Sequence, residues 1–357
     1  MKWFIIIFFI ISISIFIVTK YYYLKKKLEV EQIESFENEN SLTTTDKLLK
    51  YHGLKLKYLS SKKASKLVVK DGEYLKGMNQ SNLSARGCIN IDDLYTKYID
   101  AFDDITDAEK QNIDIFILKL VTDIKENNNT FSYYNYVIKW LNIISFAKAK
   151  HWLESGMPHT LDTTIIMDSN WFTNPRAKTL LHEITHIHQR KSPIDFEDLY
   201  PLLGYYYNPV DIKGLESIYA LNRNNPDGMD KYWLWHSNNT NTQTDTYWWI
   251  GAIFNTAIPS TLSDVNLMAL KLDKDVDGIF YYLKQIPTRL SNLKEFVSFF
   301  GENQNNYHPN EMTAKFSEWY LMESLKGNNI NNEDYNYEGY KIYKKYYENM
   351  LNKYYSG

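Results

Sequence analysis

Residues 182–186 read His182-Glu183-Ile184-Thr185-His186, two imidazoles four positions apart with a carboxylate beside the first. On a helix, positions four apart lie about 40° apart around the axis, so both rings can reach one ion. Neutral imidazole suits Zn²⁺ in a tetrahedral site, and a position left open makes such a site catalytic. Glu183 sits where it can take a proton from a metal-held water. His188 is a poor third ligand. Two residues past His186, it points about 200° away, toward the buried side, and is expected to be structural.

The elements that must position these groups follow from the flanking sequence. Asn174-Pro175 supplies an N-cap and a first-turn proline, so the spacing predicts a helix from there to about Arg190, stopped by Ser192-Pro193. Its apolar side is Ala177, Leu180, Ile184 and Ile187, opposite the histidines, whose own face carries Lys178, Thr179 and Gln189. Gly156-Met157-Pro158 breaks the preceding helix, and Thr163–Met167 is β-branched enough for a short strand, placed to serve as an edge for an extended peptide. Upstream, Thr106 and Glu109 form a capping box for a helix carrying Ile113, Phe116, Ile117, Leu120 and Val121, and the apolar segment Tyr133–Phe146 is expected to pack on it.

Downstream of Pro193 a Tyr/Trp/Asn-rich stretch has no clear period. Within it Tyr247–Ile250 is expected in the core and Asn225–Gly228 at a turn. His159 reads as a turn histidine near the cleft. His308-Pro309-Asn310 opens another helix, to about Leu325. The expected fold is α+β, predominantly helical, with a small sheet beside the His-Glu-x-x-His helix.

A short strand, then a His-Glu-x-x-His helix, then a further ligand downstream resembles the zincin metallopeptidases. The extended metzincin pattern is missing, because Ser192 stands where its third histidine would be. The chain is more similar to the gluzincins, in which a later helix supplies a glutamate. The resemblance implies Zn²⁺ held by His182, His186 and Glu311, with Glu183 as general base in peptide-bond hydrolysis. Glu311 shares a helix face with Ala314, Glu318, Leu321, Met322 and Leu325, and small Ala314 permits close helix approach. Glu318, Glu216 and Glu197 are the alternative third ligands. Tyr307, His308 and His236 are candidate oxyanion partners, and Asp198 or Asp227 candidates to orient an imidazole. The resemblance covers mainly residues 160–190 and 307–325, and the insert between them is longer than in compact family members.

Composition bounds the remaining possibilities. One cysteine in 357 residues, Cys88, excludes an intrachain disulfide framework and requires that any metal be held by nitrogen and oxygen. A formal charge of −3 gives no electrostatic footprint for nucleic acid, and neither a phosphate-cradling loop nor a serine nucleophile elbow is present. The 30 tyrosines and 17 phenylalanines, with abundant Asn, Lys and Ile, fit an AT-rich coding alphabet and resemble proteins of large DNA viruses or other AT-rich genomes.

Trp3 to Val18 is apolar except for Ser12 and Ser14, and with its neighbours approaches the ~17–25 residues that span a bilayer. No small-residue cleavage site follows, so residues 1–24 read as an uncleaved transmembrane helix rather than a signal peptide. Residues 25–50 read as a stalk, 51–327 as the metallopeptidase body, and 328–357 as an Asn-rich loop with a Tyr/Lys-rich helix. Four lysines after the span against Lys2 before it favour a cytosolic body, whereas sequons at Asn79, Asn82, Asn128 and Asn238 favour the opposite side. The expected partners are a peptide or protein substrate and a membrane, without nucleic acid. The alternative is a membrane-anchored binding or structural protein that retains a zincin fold without turnover.

Overall fold

The structure is a computed structural model describing residues 43–356 except 71, 128–130, 229–231, 240–243, 284, 303–306 and 327–334. The expected membrane span and the start of the stalk lie outside the described residues. Among the described residues no helix is long and apolar enough to cross a membrane. The chain divides into two compact units, residues 1–52 and 53–357. Of the first, the described part is one helix, Thr44–Tyr51, closed by a reciprocal cap between Thr43 and Asp46. All that follows concerns the second unit.

Short helices precede the capping box at Thr106. Ser61–Lys70, Gly72–Lys76, Gln80–Ala85 and Ile91–Ile99 are helical, and Ala64, Leu75, Leu94 and Tyr98 join them into one core. Asn79 caps one of these helices through Asn82 N at 2.9 Å, and Asn82 is wholly buried, donating to Asn222 O. Helix α1 (Asp107–Asn127) starts at the capping box: Thr106 N donates to Glu109 Oε2 at 2.8 Å, and Glu109 N to Thr106 Oγ1 at 3.3 Å. Its apolar stripe, Ile113, Ile117, Leu120, Val121 and Ile124, is buried.

Helix α2 (Phe131–Ile143) packs on α1 but stops short of Phe146. No glycine or proline marks that end. Instead the Asn142 side chain accepts from Lys55 N at 2.8 Å and donates to Gly53 O at 2.9 Å, a tertiary anchor invisible in local sequence. The chain then enters the first sheet. Its strands are β1 (Phe102–Asp103), β2 (Ser145–Ala149), β3 (His159–Leu161) and β4 (Thr164–Asp168), in the order β1-β2-β4-β3.

β4 is the expected strand, but it is internal, parallel to β2 and antiparallel to β3. The sheet edge beside the site is therefore β3. Gly156 does not end a helix. It closes a 3₁₀ turn, Leu153–Gly156, in which Glu154 and Ser155 hold φ of 45° and 57°.

The helix bearing the motif, α3, spans Ala177–Lys191, later than expected. Asn174 instead ends a short helix, Ser169–Thr173, that Asp168 caps through Trp171 N at 3.1 Å. Pro175 disfavours helical geometry at the residue before it, so the chain breaks there and restarts after Arg176. The unassigned stretch folds as a second sheet, larger than the first. Its strands β5 (Tyr205–Tyr207), β6 (Trp233–Asn239), β7 (Thr244–Phe254), β8 (Val265–Lys274), β9 (Phe280–Tyr281) and β10 (Thr288–Arg289) are all antiparallel. Their order is β10-β8-β7-β6-β5, with β9 also on β8.

The fold is thus mixed α+β with two sheets, not one small one. Trp248, Trp249 and Ile250 are buried in β7, as expected. Helix α4 (Pro309–Lys326) lies against α3, and helix α5 (Glu338–Tyr355) closes the body over α2 and α4. Tyr133, Tyr136, Tyr343 and Tyr347 make a ring cluster there, with Tyr343 stacked on Tyr347 at 5.2 Å. These tyrosines are packing groups.

Candidate metal centre

On α3, Leu180, Ile184 and Ile187 are wholly buried, and His182 and His186 point the other way, one turn apart. Small residues let α4 approach that helix closely: Thr185 Oγ1 donates to Ser317 Oγ at 2.8 Å, and Ala314 is fully buried. The approach delivers the first turn of α4 to the imidazoles. Glu311 Oε2 lies 3.4 Å from His182 Nε2 and 3.8 Å from His186 Nε2. Donors bonded to zinc at about 2.0–2.2 Å in a tetrahedron sit about 3.4 Å from one another, so this spacing fits one ion.

The outer nitrogens of both rings are held by oxygen. His182 Nδ1 lies 2.9 Å from Glu318 Oε1, and His186 Nδ1 lies 2.9 Å from Gln189 Oε1. A carboxylate and an amide oxygen can only accept, so each Nδ1 carries a hydrogen. In the neutral ring Nε2 then presents its lone pair to the site, the tautomer a metal ligand needs.

Electrostatics also favour a cation. Burial opposes the charge on Glu311, but the neighbouring His186 and His182 outweigh it and hold its carboxyl down at about 2. Burial likewise opposes charging of His182, yet Glu311 and Glu318 outweigh it and its pKa stands well above the ordinary value. At His186 burial prevails over Asp227 and Glu311, and the pKa is lowered.

Glu183 is 3 % exposed and its Oε2 has no hydrogen-bond partner among the described residues. Burial first, then the Asp227 charge, raise its pKa well above the usual carboxylate range. Donor atoms of Glu183, His186 and Asp227 lie within 4.8 Å of one another.

The facing wall is the turn Asn225–Gly228, where Gly228 N donates to Asn225 O at 3.2 Å. A Cβ at Gly228 would fall 3.1 Å from the His308 ring, so the turn seats closely against α4's entry and a larger residue there would push on that ring. Asn225 Nδ2 donates to Glu311 Oε1 at 2.5 Å and to the Tyr307 hydroxyl at 2.9 Å. Asp227 accepts from Thr160 N and from Arg190 Nη2, each at 3.2 Å. Two cavities meet at this wall. One, about 240 Å³, holds His182, Glu183, Glu311, Tyr307 and His159. The other, about 760 Å³, is a groove walled by Tyr200, Tyr205, Tyr206, Tyr207 and Trp233. His186, Pro226 and Asp227 line both.

The structure therefore brings together His182, Glu183, His186 and Glu311. Glu318 stands behind His182 rather than at the ion position, Glu197 lines the neighbouring large groove, and Glu216 is exposed on a separate helix, Glu216–Tyr219. His188 is wholly buried between Tyr136 and Asp195 Oδ2, the latter at 2.9 Å. Tyr307 lines the small cavity, whereas His236 sits on β6 paired with Asp245. Asp198 stands between the short helices Ile194–Glu197 and Leu199–Leu202, and the outer nitrogens of the two rings are held by Glu318 and Gln189 rather than by either aspartate. His159 belongs to strand β3, not a turn, and faces the cleft.

Sequence reasoning missed the roles of Gln189, Asn225 and Arg190. Gln189 alone left a local signal, standing one helical turn past His186. Comparison with protein families, with curated proteins and with solved structures finds no match for this chain.

Proposed function

We propose that the chain is a zinc-dependent peptidase of zincin, gluzincin-like type. The observation that carries the reading is the convergence of two Nε2 atoms and the Glu311 carboxylate beside an unpartnered, buried Glu183 Oε2. A structural zinc site has no use for a base next to a ligand. His182, His186 and Glu311 would hold the ion, and the sheet–helix–later-helix order supports the zincin reading. Bound Zn²⁺ supplies a Lewis acid that lowers the pKa of water to about 7 and polarises a carbonyl.

The remaining chemistry belongs to the chain. Glu183 Oε2 takes the proton of the attacking water and passes it to the leaving amine; its buried, acidic surroundings raise its proton affinity for that task. The Tyr307 hydroxyl, fixed by Asn225 and kept protonated by burial, donates to the developing oxyanion. The apolar N-terminus supports attachment to a membrane. Asn79 and Asn82 are engaged inside the fold, which removes those two sequons as support for the opposite side of the membrane.

The test is metal analysis with peptide-library cleavage on the full chain. One zinc per chain, lost in His182→Ala, is expected, with cleavage abolished in Glu183→Gln while zinc stays. A wild-type chain that binds zinc and cleaves nothing would instead favour a binding protein without turnover.

A further inference from the structure

The small cavity at the candidate metal centre is lined by five carboxylates and one guanidinium, that of the half-buried Arg223. Four of the carboxylates are already engaged. Glu154 meets Arg86 Nη2 at 2.7 Å, Asp227 meets Arg190 Nη2 at 3.2 Å, and Glu318 meets Lys315 Nζ at 2.8 Å. Glu311 stands at the ion position with His182 and His186. The fifth, Glu183, is the proposed base. Unlike Arg86 and Arg190, Arg223 has no carboxylate within ion-pair distance among the described residues. The cation of this cavity is the group left without a counter-charge.

Its backbone is fixed from outside the site. Residues 221–223 run antiparallel to β7 beyond the last residue that β6 pairs: Arg223 N donates to Ala252 O at 2.7 Å, and Phe254 N to Leu221 O at 2.8 Å. Asn224 N then donates to Asn82 Oδ1 and Asn224 Nδ2 to Gly77 O, both at 2.9 Å. The side chain is held at one corner, where Nη1 donates to Leu262 O at 3.3 Å. A guanidinium carries five N–H donors, and this bond leaves the edge formed by Nε and Nη2, whose parallel N–H groups match the two oxygens of a carboxylate. The neutral Tyr307 hydroxyl lies beside the guanidinium: burial raises its pKa, and the Arg223 charge opposes the rise. That hydroxyl accepts from Asn225 Nδ2, which also donates to Glu311, so two neutral side chains separate Arg223 from the ion position.

We propose that Arg223 is a specificity residue that takes a carboxylate of the substrate in the small cavity, either an acidic side chain or a chain-terminal carboxylate close to the scissile bond. The cavity, about 240 Å³, is smaller than the roughly 300–1,000 Å³ of small-molecule sites, so it admits one residue rather than a length of chain. A carboxylate is the group that balances Arg223. A basic side chain would meet the guanidinium with like charge, and a neutral one would enclose it without a counter-ion. The inference rests on the peptidase reading and adds what the site selects.

The experiment measures affinity rather than turnover, on the full chain carrying Glu183→Gln, in detergent and supplied with zinc. One series of short blocked Ala/Ser peptides carries Glu or Gln at each position in turn. A second series has no acidic residue and ends in a free carboxylate or in an amide. The best-placed charged peptide should bind about tenfold tighter than its neutral counterpart, in the first series for a side chain and in the second for a chain end. Arg223→Met should bring that ratio close to one while neutral peptides bind nearly as before, and Arg223→Lys should keep part of it. Absence of binding, or equal affinity for charged and neutral members of both series, overturns the proposal with no variant at position 223 required. So does a preference that survives Arg223→Met, or joint loss of charged and neutral binding in both variants. A preference carried by Arg223 in a chain whose wild type cleaves none of these peptides would sink the peptidase reading and leave the Arg223 assignment standing.

Discussion

Gln189 Oε1 lies 2.9 Å from His186 Nδ1, while the amide nitrogen of the same side chain donates to Asn310 O at 2.9 Å and Thr313 Oγ1 at 2.7 Å. The α4 contacts fix which end of the amide faces the ring, and the ring's tautomer follows. Gln189→Leu should therefore lower zinc affinity about 10–100-fold while leaving the three donors in place. Competition titration against a zinc-binding dye reads this directly. Unchanged affinity would mean the amide does not set the ligand's tautomer.

Glu311 provides the stricter assignment. Glu311→Ala should reduce zinc occupancy to the level of His182→Ala, and Glu311→Gln should fall between that and wild type. Full occupancy in Glu311→Ala would remove Glu311 from the donor set.

Metal removal should register in stability as well as stoichiometry. An ion that binds only the folded state at about one hundred times its Kd adds about 2.7 kcal/mol. Chelator should thus lower the Tm of wild type and leave that of His182→Ala unmoved. Equal shifts in both would place the ion elsewhere.

His188 makes the opposite prediction to its neighbours in the motif. It is wholly buried, with ring contacts to Trp140 at 4.6 Å and Phe196 at 4.9 Å. His188→Ala should cost about 2–4 kcal/mol in urea denaturation and retain full zinc stoichiometry.

A pH dependence follows from a charged pair outside the donor set. Arg86 Nη2 and Glu154 Oε2 are 2.7 Å apart with side chains 3 % and 4 % exposed, and Tyr74 donates to Glu154 Oε1 at 3.0 Å. Burial disfavours the Glu154 charge, but Arg86 outweighs burial and lowers the carboxyl's pKa below its ordinary value. A depressed carboxylate pKa contributes stability that is fully present above the unfolded value and is lost as pH falls through the folded value. Glu154→Gln should flatten that acidic limb and cost about 3–5 kcal/mol near neutral pH, because Arg86 stays buried without its counter-ion. Denaturation midpoints from neutral to acid pH decide it; parallel curves for both proteins would reject the assignment.

The sequence reveals the centre more fully than the scaffold. Two histidines one turn apart are a local pattern, and the polar and apolar sides of α3 are equally local. Glu311 is legible only with the family resemblance, since nothing near it in sequence says which helix it meets. The second sheet stayed hidden for a physical reason. β7 is buried from Trp248 through Phe254, and a strand covered on both faces shows no alternation to detect. β2 was hidden because the helix before it ends on Asn142's contacts to Gly53 and Lys55, not on a local stop signal. The Asn225–Gly228 turn was legible as a turn, but its side chains reach Glu311 and Arg190 through tertiary contact alone.

The crossing of α3 and α4 also sets when the centre can exist during synthesis. His182 and Glu318 are 136 positions apart, and Gln189 and Thr313 are 124 apart. A nascent chain exposes both histidines and Glu183 long before the ribosome reaches Glu311. Until α4 emerges and docks, the imidazoles lack the third donor, His182 lacks Glu318, and the Gln189 amide lacks the α4 contacts that orient it. An incomplete translation product ending before α4 is accordingly without a closed donor set.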